Sequence, residues 1–112
     1  LKPDWDCVIK KGISILEVKK ESDQNIDFKI QVNSSLNSFS PNYLDVYFFS
    51  RLDNYCVCKR RAVIDNKKLP LSLTFSVPNY LPELLLDPLY DYNLVCIFTT
   101  NLREKLISAV LT

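Results

Sequence analysis

The stretch LPLSLTFSV, residues 69–77, decides the fold class of this chain. Leu69, Leu71, Leu73, Phe75 and Val77 alternate with Pro70, Ser72, Thr74 and Ser76. Successive side chains of a strand point to opposite faces, whereas a helix repeats its apolar positions every three or four residues. The spacing therefore predicts a strand with one buried and one wet face.

Working outward, IDFKIQV (26–32) repeats the pattern, with Ile26, Phe28, Ile30 and Val32 facing in and Asp27, Lys29 and Gln31 facing out. ISILEVKK (13–20) precedes it, and ESDQN (21–25) supplies turn residues between the two, which predicts a hairpin. YLDVYFFS (43–50) is aromatic and β-branched, and apolar on both faces in its second half, as a central strand is. RLDN (51–54) reverses the chain, YCVCKRRAVI (55–64) returns, and DNKK (65–68) turns into 69–77. In NYLPELLLDPLYD (79–91) the prolines limit helix to a turn or two. YNLVCIFTT (92–100) resumes the alternation, with Tyr92, Leu94, Cys96 and Phe98 on one side, TNLRE turns, and KLISAVLT (105–112) is a last strand.

About seven short strands at this spacing, with no long helical pattern, predict an all-β chain folded as an antiparallel two-sheet β-sandwich. The order of connections suits an immunoglobulin-like or fibronectin-like architecture, with the long connection 78–88 crossing between sheets. The cysteine–tryptophan–cysteine set of immunoglobulin domains is missing, because Trp5 precedes the strands, and Leu94 stands two residues before Cys96 where those domains carry a tyrosine. Residues 1–112 are expected to form a single domain, and the start at Leu1 with no methionine suggests a piece of a longer protein.

Composition excludes more than it assigns. Fourteen Lys and Arg balance thirteen Asp and Glu, so a net charge of +1 gives no global attraction to nucleic acid, and none is expected as a partner. There is no histidine, so a nucleophilic triad lacks its base, and no glycine-rich nucleotide loop or other cofactor fingerprint is present. The expectation is a non-enzymatic domain without a cofactor. No apolar run approaches the roughly 18 residues of a membrane span.

Cys7, Cys56, Cys58 and Cys96 are too few for a disulfide-stapled miniprotein. On a regular strand Cys56 and Cys58 share a face with Cα atoms about 7 Å apart, which disfavours a mutual bridge. The CxC spacing without histidine also disfavours zinc. Cysteine as a small buried hydrophobe is the main expectation. The alternative is a cross-sheet disulfide from Cys96 to Cys7 or Cys56 in a secreted protein, a setting the sequon NSS (33–35) also fits. An intracellular, cytoplasmic or nuclear, setting is favoured over an extracellular one.

Two segments are candidates for partner contact. Lys59 and Arg61 point one way from their strand and Arg60 the other, so this strand belongs at a sheet edge, where cations block unwanted pairing. With Lys67 and Lys68, and widened by Lys10, Lys11, Lys19 and Lys20, it forms a basic strip suited to an acidic partner, a phosphate or a lipid headgroup. Leu84, Leu85 and Leu86 either plug the end of the sandwich or form an exposed apolar patch. A calcium site of the C2 kind would have to draw on DWD (4–6) and DPLYD (87–91). The expected function is a non-catalytic interaction module making protein–protein contacts within a larger protein or complex. The alternatives are C2-like binding to anionic membrane and an extracellular adhesion or receptor domain.

Overall fold

The computed structural model describes residues 12–34, 36, 39–80 and 91–111, with side chains described as far as Lys105. Among these residues seven strands follow one another: β1 (Ile13–Lys20), β2 (Asn25–Val32), β3 (Tyr43–Ser50), β4 (Cys56–Val63), β5 (Leu71–Pro78), β6 (Tyr92–Thr99) and β7 (Lys105–Leu111). All pairings are antiparallel. They form a three-stranded sheet in the order β1-β2-β5 and a four-stranded sheet in the order β4-β3-β6-β7. The chain is an all-β sandwich, as the alternation in 69–77 predicts.

The strand of that opening stretch starts two residues later than its pattern, at Leu71, because Pro70 has no N–H to give to a ladder. Its register with β2 sets Phe75 opposite Phe28 and Val77 opposite Ile26. Asp53 and Asn54 make the expected reversal between β3 and β4, with Asn54 at φ 57°. Asp65 caps the 3-10 turn Asn66–Lys68 by accepting from the Lys67 N–H.

The two sheets meet through aromatic rings. Phe28 of β2 lies 5.0 Å from Phe48 of β3 and 5.6 Å, edge-on, from Tyr92 of β6, and Phe48 lies 6.2 Å from Phe75 of β5. Ile26, Ile30, Val32, Leu44, Val46, Leu94, Cys96 and Phe98 complete the core from both layers. Burial of a large apolar side chain contributes about 1.5–3 kcal/mol, so these inward rows hold the sheets together. The Tyr92 hydroxyl donates to the Pro78 carbonyl at 2.8 Å and accepts the Tyr80 N–H at 3.0 Å. A buried ring thus ties the start of β6 to the end of β5, where the chain changes sheets.

One expectation about β4 is corrected. The β3–β4 register slips between Phe48 and Phe49, so that Cys58 faces Phe48 while Cys56 faces Phe49. Val57 is the extra residue of a bulge. Cys58 and Val57 pack against the core, whereas Cys56 is turned to solvent, so the two cysteines do not share a face. Cys56, Cys58 and Cys96 are all free, which also overturns a Cys56–Cys96 bridge. Of these three, Cys96 is fully buried; Cys7 lies outside the described residues.

Candidate interaction surface on the four-stranded sheet

The outer faces of the two sheets are chemically unlike. On the three-stranded sheet the outward residues of β2 and β5 are Asp27, Lys29 and Gln31, and Ser72, Thr74 and Ser76. On the four-stranded sheet β3 turns Tyr43, Asp45, Tyr47 and Phe49 outward, and β6 turns out Asn93, Val95, Ile97 and Thr99. Register aligns these in rows: Tyr47 between Lys59 and Val95, and Asp45 between Arg61 and Ile97. An antiparallel sheet needs only one apolar face, so a second one that water half-covers asks for a reason. Val63 of β4, 73% exposed, extends it to the sheet edge.

The basic strand is an edge strand, and each of its cations has a partner inside the domain. Arg61 forms a forked pair with Asp45, Nε to Oδ1 at 2.8 Å and one terminal nitrogen to Oδ2 at 3.0 Å. Asp45 is buried, and the Arg61 hydrogen bonds hold its carboxyl below the ordinary carboxylate value despite the opposing cost of desolvation. Lys59 and Lys105 add to the lowering by charge. The Arg61 guanidinium also lies 5.1 Å from the Tyr43 ring centre, and the Lys59 ammonium 5.4 Å from that of Tyr47. Such cation–ring contacts contribute about 0.5–1 kcal/mol at exposed sites. Tyr47 in turn stacks on Phe49 at 6.5 Å. The outcome is a framework of rings and fixed cations across β3 and β4.

Arg60 points to the other side. Its Nε donates to the Ser76 carbonyl of β5 at 3.1 Å and its guanidinium also donates to the Lys59 carbonyl at 3.1 Å. It bridges the open edges of the two sheets and belongs to the fold.

Of the wider basic strip, the described lysines lie apart from Lys59. Lys67 and Lys68 are exposed, but they sit beyond the end of β4 at the Tyr43 level, and Val63 is already about 13 Å along the strand from Lys59. Lys19 and Lys20 are on β1, the far strand of the other sheet, where they pair with Glu21 at 3.3 Å and Asp23 at 3.5 Å. Register across two sheets, which pattern alone does not provide, separates them from β4. Lys10, Lys11, Leu84, Leu85, Leu86 and the DWD segment lie outside the described residues. Among the described residues no group of three or more His, Cys, Asp or Glu is placed to hold a metal.

Sequence reading missed Tyr47, Phe49, Val95 and Ile97 as surface residues. The signal was the near-continuous apolar runs of YLDVYFF and LVCIF, which mark strands apolar on both faces but do not tell which outer face stays uncovered.

The sandwich architecture is thus defined by the strand order. Compared with protein-family models, curated proteins and solved structures, the chain matches none. Among the described residues no helix is long and apolar enough to cross a membrane.

Proposed function

We propose that this domain is a non-catalytic protein-recognition module and that it meets its partner with the outer face of the four-stranded sheet. The observation that carries the reading is the contrast between the two outer faces, one polar along β2 and β5 with an exposed Leu16 on β1, and one built of Tyr47, Phe49, Val95 and Ile97. Aromatic residues and arginine are the types enriched at protein interfaces, where rings supply contact area at low entropic cost. The Arg61–Asp45 fork holds the Arg61 side chain in place, so less of its freedom remains to be lost on binding.

The fold supports the same reading. Lettered in chain order, β1-β2-β5 and β4-β3-β6-β7 become A-B-E and C′-C-F-G. Immunoglobulin constant-type domains differ by carrying their fourth strand on the A-B-E sheet. Tyr92, at the start of the sixth strand with its hydroxyl bonded upstream, resembles a tyrosine corner, although it stands four residues before Cys96 where those domains place theirs two before. The strand order supports reading the domain as an immunoglobulin-like or fibronectin-like sandwich. Free Cys56, Cys58 and Cys96 suit an intracellular setting.

Site-specific photocrosslinking in the native cell tests the function. A photoreactive residue at Val63 or Ile97 is expected to capture a discrete protein that the same residue at Thr74 does not. Equal capture from both faces, or none from Val63 and Ile97, contradicts the proposal.

A further inference from the structure

Taking the outer face as the recognition surface, we infer that its partner is an acidic, apolar protein segment running along β3 between β4 and β6, with carboxylates at Lys59 and Arg61 and apolar side chains on Phe49, Val95 and Ile97. The ionic residues that the described strands place on this face are Lys59, Arg61, Lys105 and Asp45. The single acid among them is buried and committed to Arg61, so what reaches solvent is positive. Complementarity of charge then calls for carboxylates on the partner.

The donors left over fit that ligand. Of the five N–H groups of a guanidinium, the Asp45 fork uses two, which leaves three on Arg61. Among the described residues no carboxylate lies within ion-pair distance of the Lys59 ammonium, which rests on the Tyr47 ring. Lys59 and Arg61 are alternate residues of one strand, about 7 Å apart at Cα. That is also the separation of alternate residues in any extended segment, so acids at positions i and i+2 meet both cations at once. With the segment running over β3, the intervening residue and those at i−1 and i+3 turn the other way, toward the apolar row of β6.

Other occupants fit less well. A strand added to the edge of β4 is opposed by the Arg60 side chain, which occupies the Lys59 and Ser76 carbonyls there. Single-stranded nucleic acid needs free ring faces for its bases, and Lys59 and Arg61 lie over Tyr47 and Tyr43. Anionic membrane recognition draws on about four to eight clustered cations, and this face presents fewer.

Selection of a random 12-residue peptide library against the folded domain tests the inference. The expected winners carry Asp or Glu at alternate positions flanked by Leu, Ile or aromatic residues. A synthesised winner should bind about ten-fold more weakly to Lys59→Glu and to Ile97→Ser, and equally to Lys29→Glu on the opposite sheet, with melting curves confirming that all three variants are folded. Neutral or basic winners still lost in Ile97→Ser overturn the acidic partner and leave the recognition face standing. Winners indifferent to both Lys59→Glu and Ile97→Ser, or no enrichment, overturn both. Tighter binding to a 20-residue oligothymidylate or to phosphatidylserine vesicles, lost in Lys59→Glu, overturns the inference in favour of a phosphate ligand.

Discussion

The Arg60 guanidinium spans from β4 to the Ser76 carbonyl of β5, joining the open edges of two different sheets. Both edges would otherwise offer unpaired backbone groups on the same side of the sandwich. Replacing Arg60 with Ala should lower stability by about 1 kcal/mol, the scale of a solvent-accessible hydrogen bond. More tellingly, it should produce concentration-dependent oligomers in light scattering. Arg60→Lys keeps the charge but not the fork and should fall between the two. A variant that stays monomeric at all concentrations would remove the blocking role.

Asp45 couples the same surface to acidity. Its folded-state pKa is lowered, chiefly by the Arg61 hydrogen bonds, relative to an unfolded carboxyl near about 3.9. The stabilisation is therefore fully present above the unfolded value and is lost as pH falls through the lower, folded one. Urea unfolding followed from pH 6 down to pH 2.5 should show a loss of stability below about pH 4 that is reduced in Asp45→Asn. At pH 7 the same variant should be about 1–2 kcal/mol less stable, discounted from a fully buried pair because Arg61 is half in water. Identical acid profiles for both proteins would show that the fork contributes nothing measurable.

Gly12, the only glycine in the chain, has a packing reason. A Cβ at this position would stand 2.5 Å from Cγ of Leu36 and 2.9 Å from both its methyl carbons, and Leu36 is fully buried. Since the clash reaches the branch point of Leu36 as well as its tip, rotation of the methyl groups does not relieve it. Gly12→Ala should cost about 1–3 kcal/mol as overpacking does, and Gly12→Ala with Leu36→Ala should not recover it fully, because the second change opens a cavity. An unchanged melting temperature in Gly12→Ala would mean the site has room.

The three described cysteines should react in a fixed order. Cys56 is exposed, burial raises the Cys58 thiol above its ordinary value, and burial pushes Cys96 up to about 12. Only the thiolate is nucleophilic. A disulfide reagent at pH 8 should thus modify Cys56 first, Cys58 more slowly and Cys96 only on unfolding, as single Cys→Ser variants resolve by mass spectrometry. Fast modification of Cys96 in the native protein would contradict its placement in the core.

The inward half of this structure was legible in residue order because period-two alternation is a local property. Ile26, Phe28, Ile30 and Val32 on β2, and Tyr92, Leu94, Cys96 and Phe98 on β6, are buried as their spacing predicts. The edge position of β4 was legible too, since three cations on one strand do not sit over a core. What escaped the sequence depended on pairing between distant strands. The bulge at Val57 separates Cys56 from Cys58, and Asp45 meets Arg61 only because β3 and β4 lie in that register. The outer framework of Tyr47, Phe49, Val95 and Ile97 draws on two strands more than 40 residues apart, which no single stretch announces.

The recognition face is tested most directly by amide chemical-shift mapping of the labelled domain titrated with a crosslink-identified partner. The largest changes are expected at Tyr47, Phe49, Lys59, Arg61, Val95 and Ile97, with Lys29, Ser72, Thr74 and Ser76 unmoved. Changes concentrated on the β2–β5 face, with the β3–β6 face silent, would contradict the account.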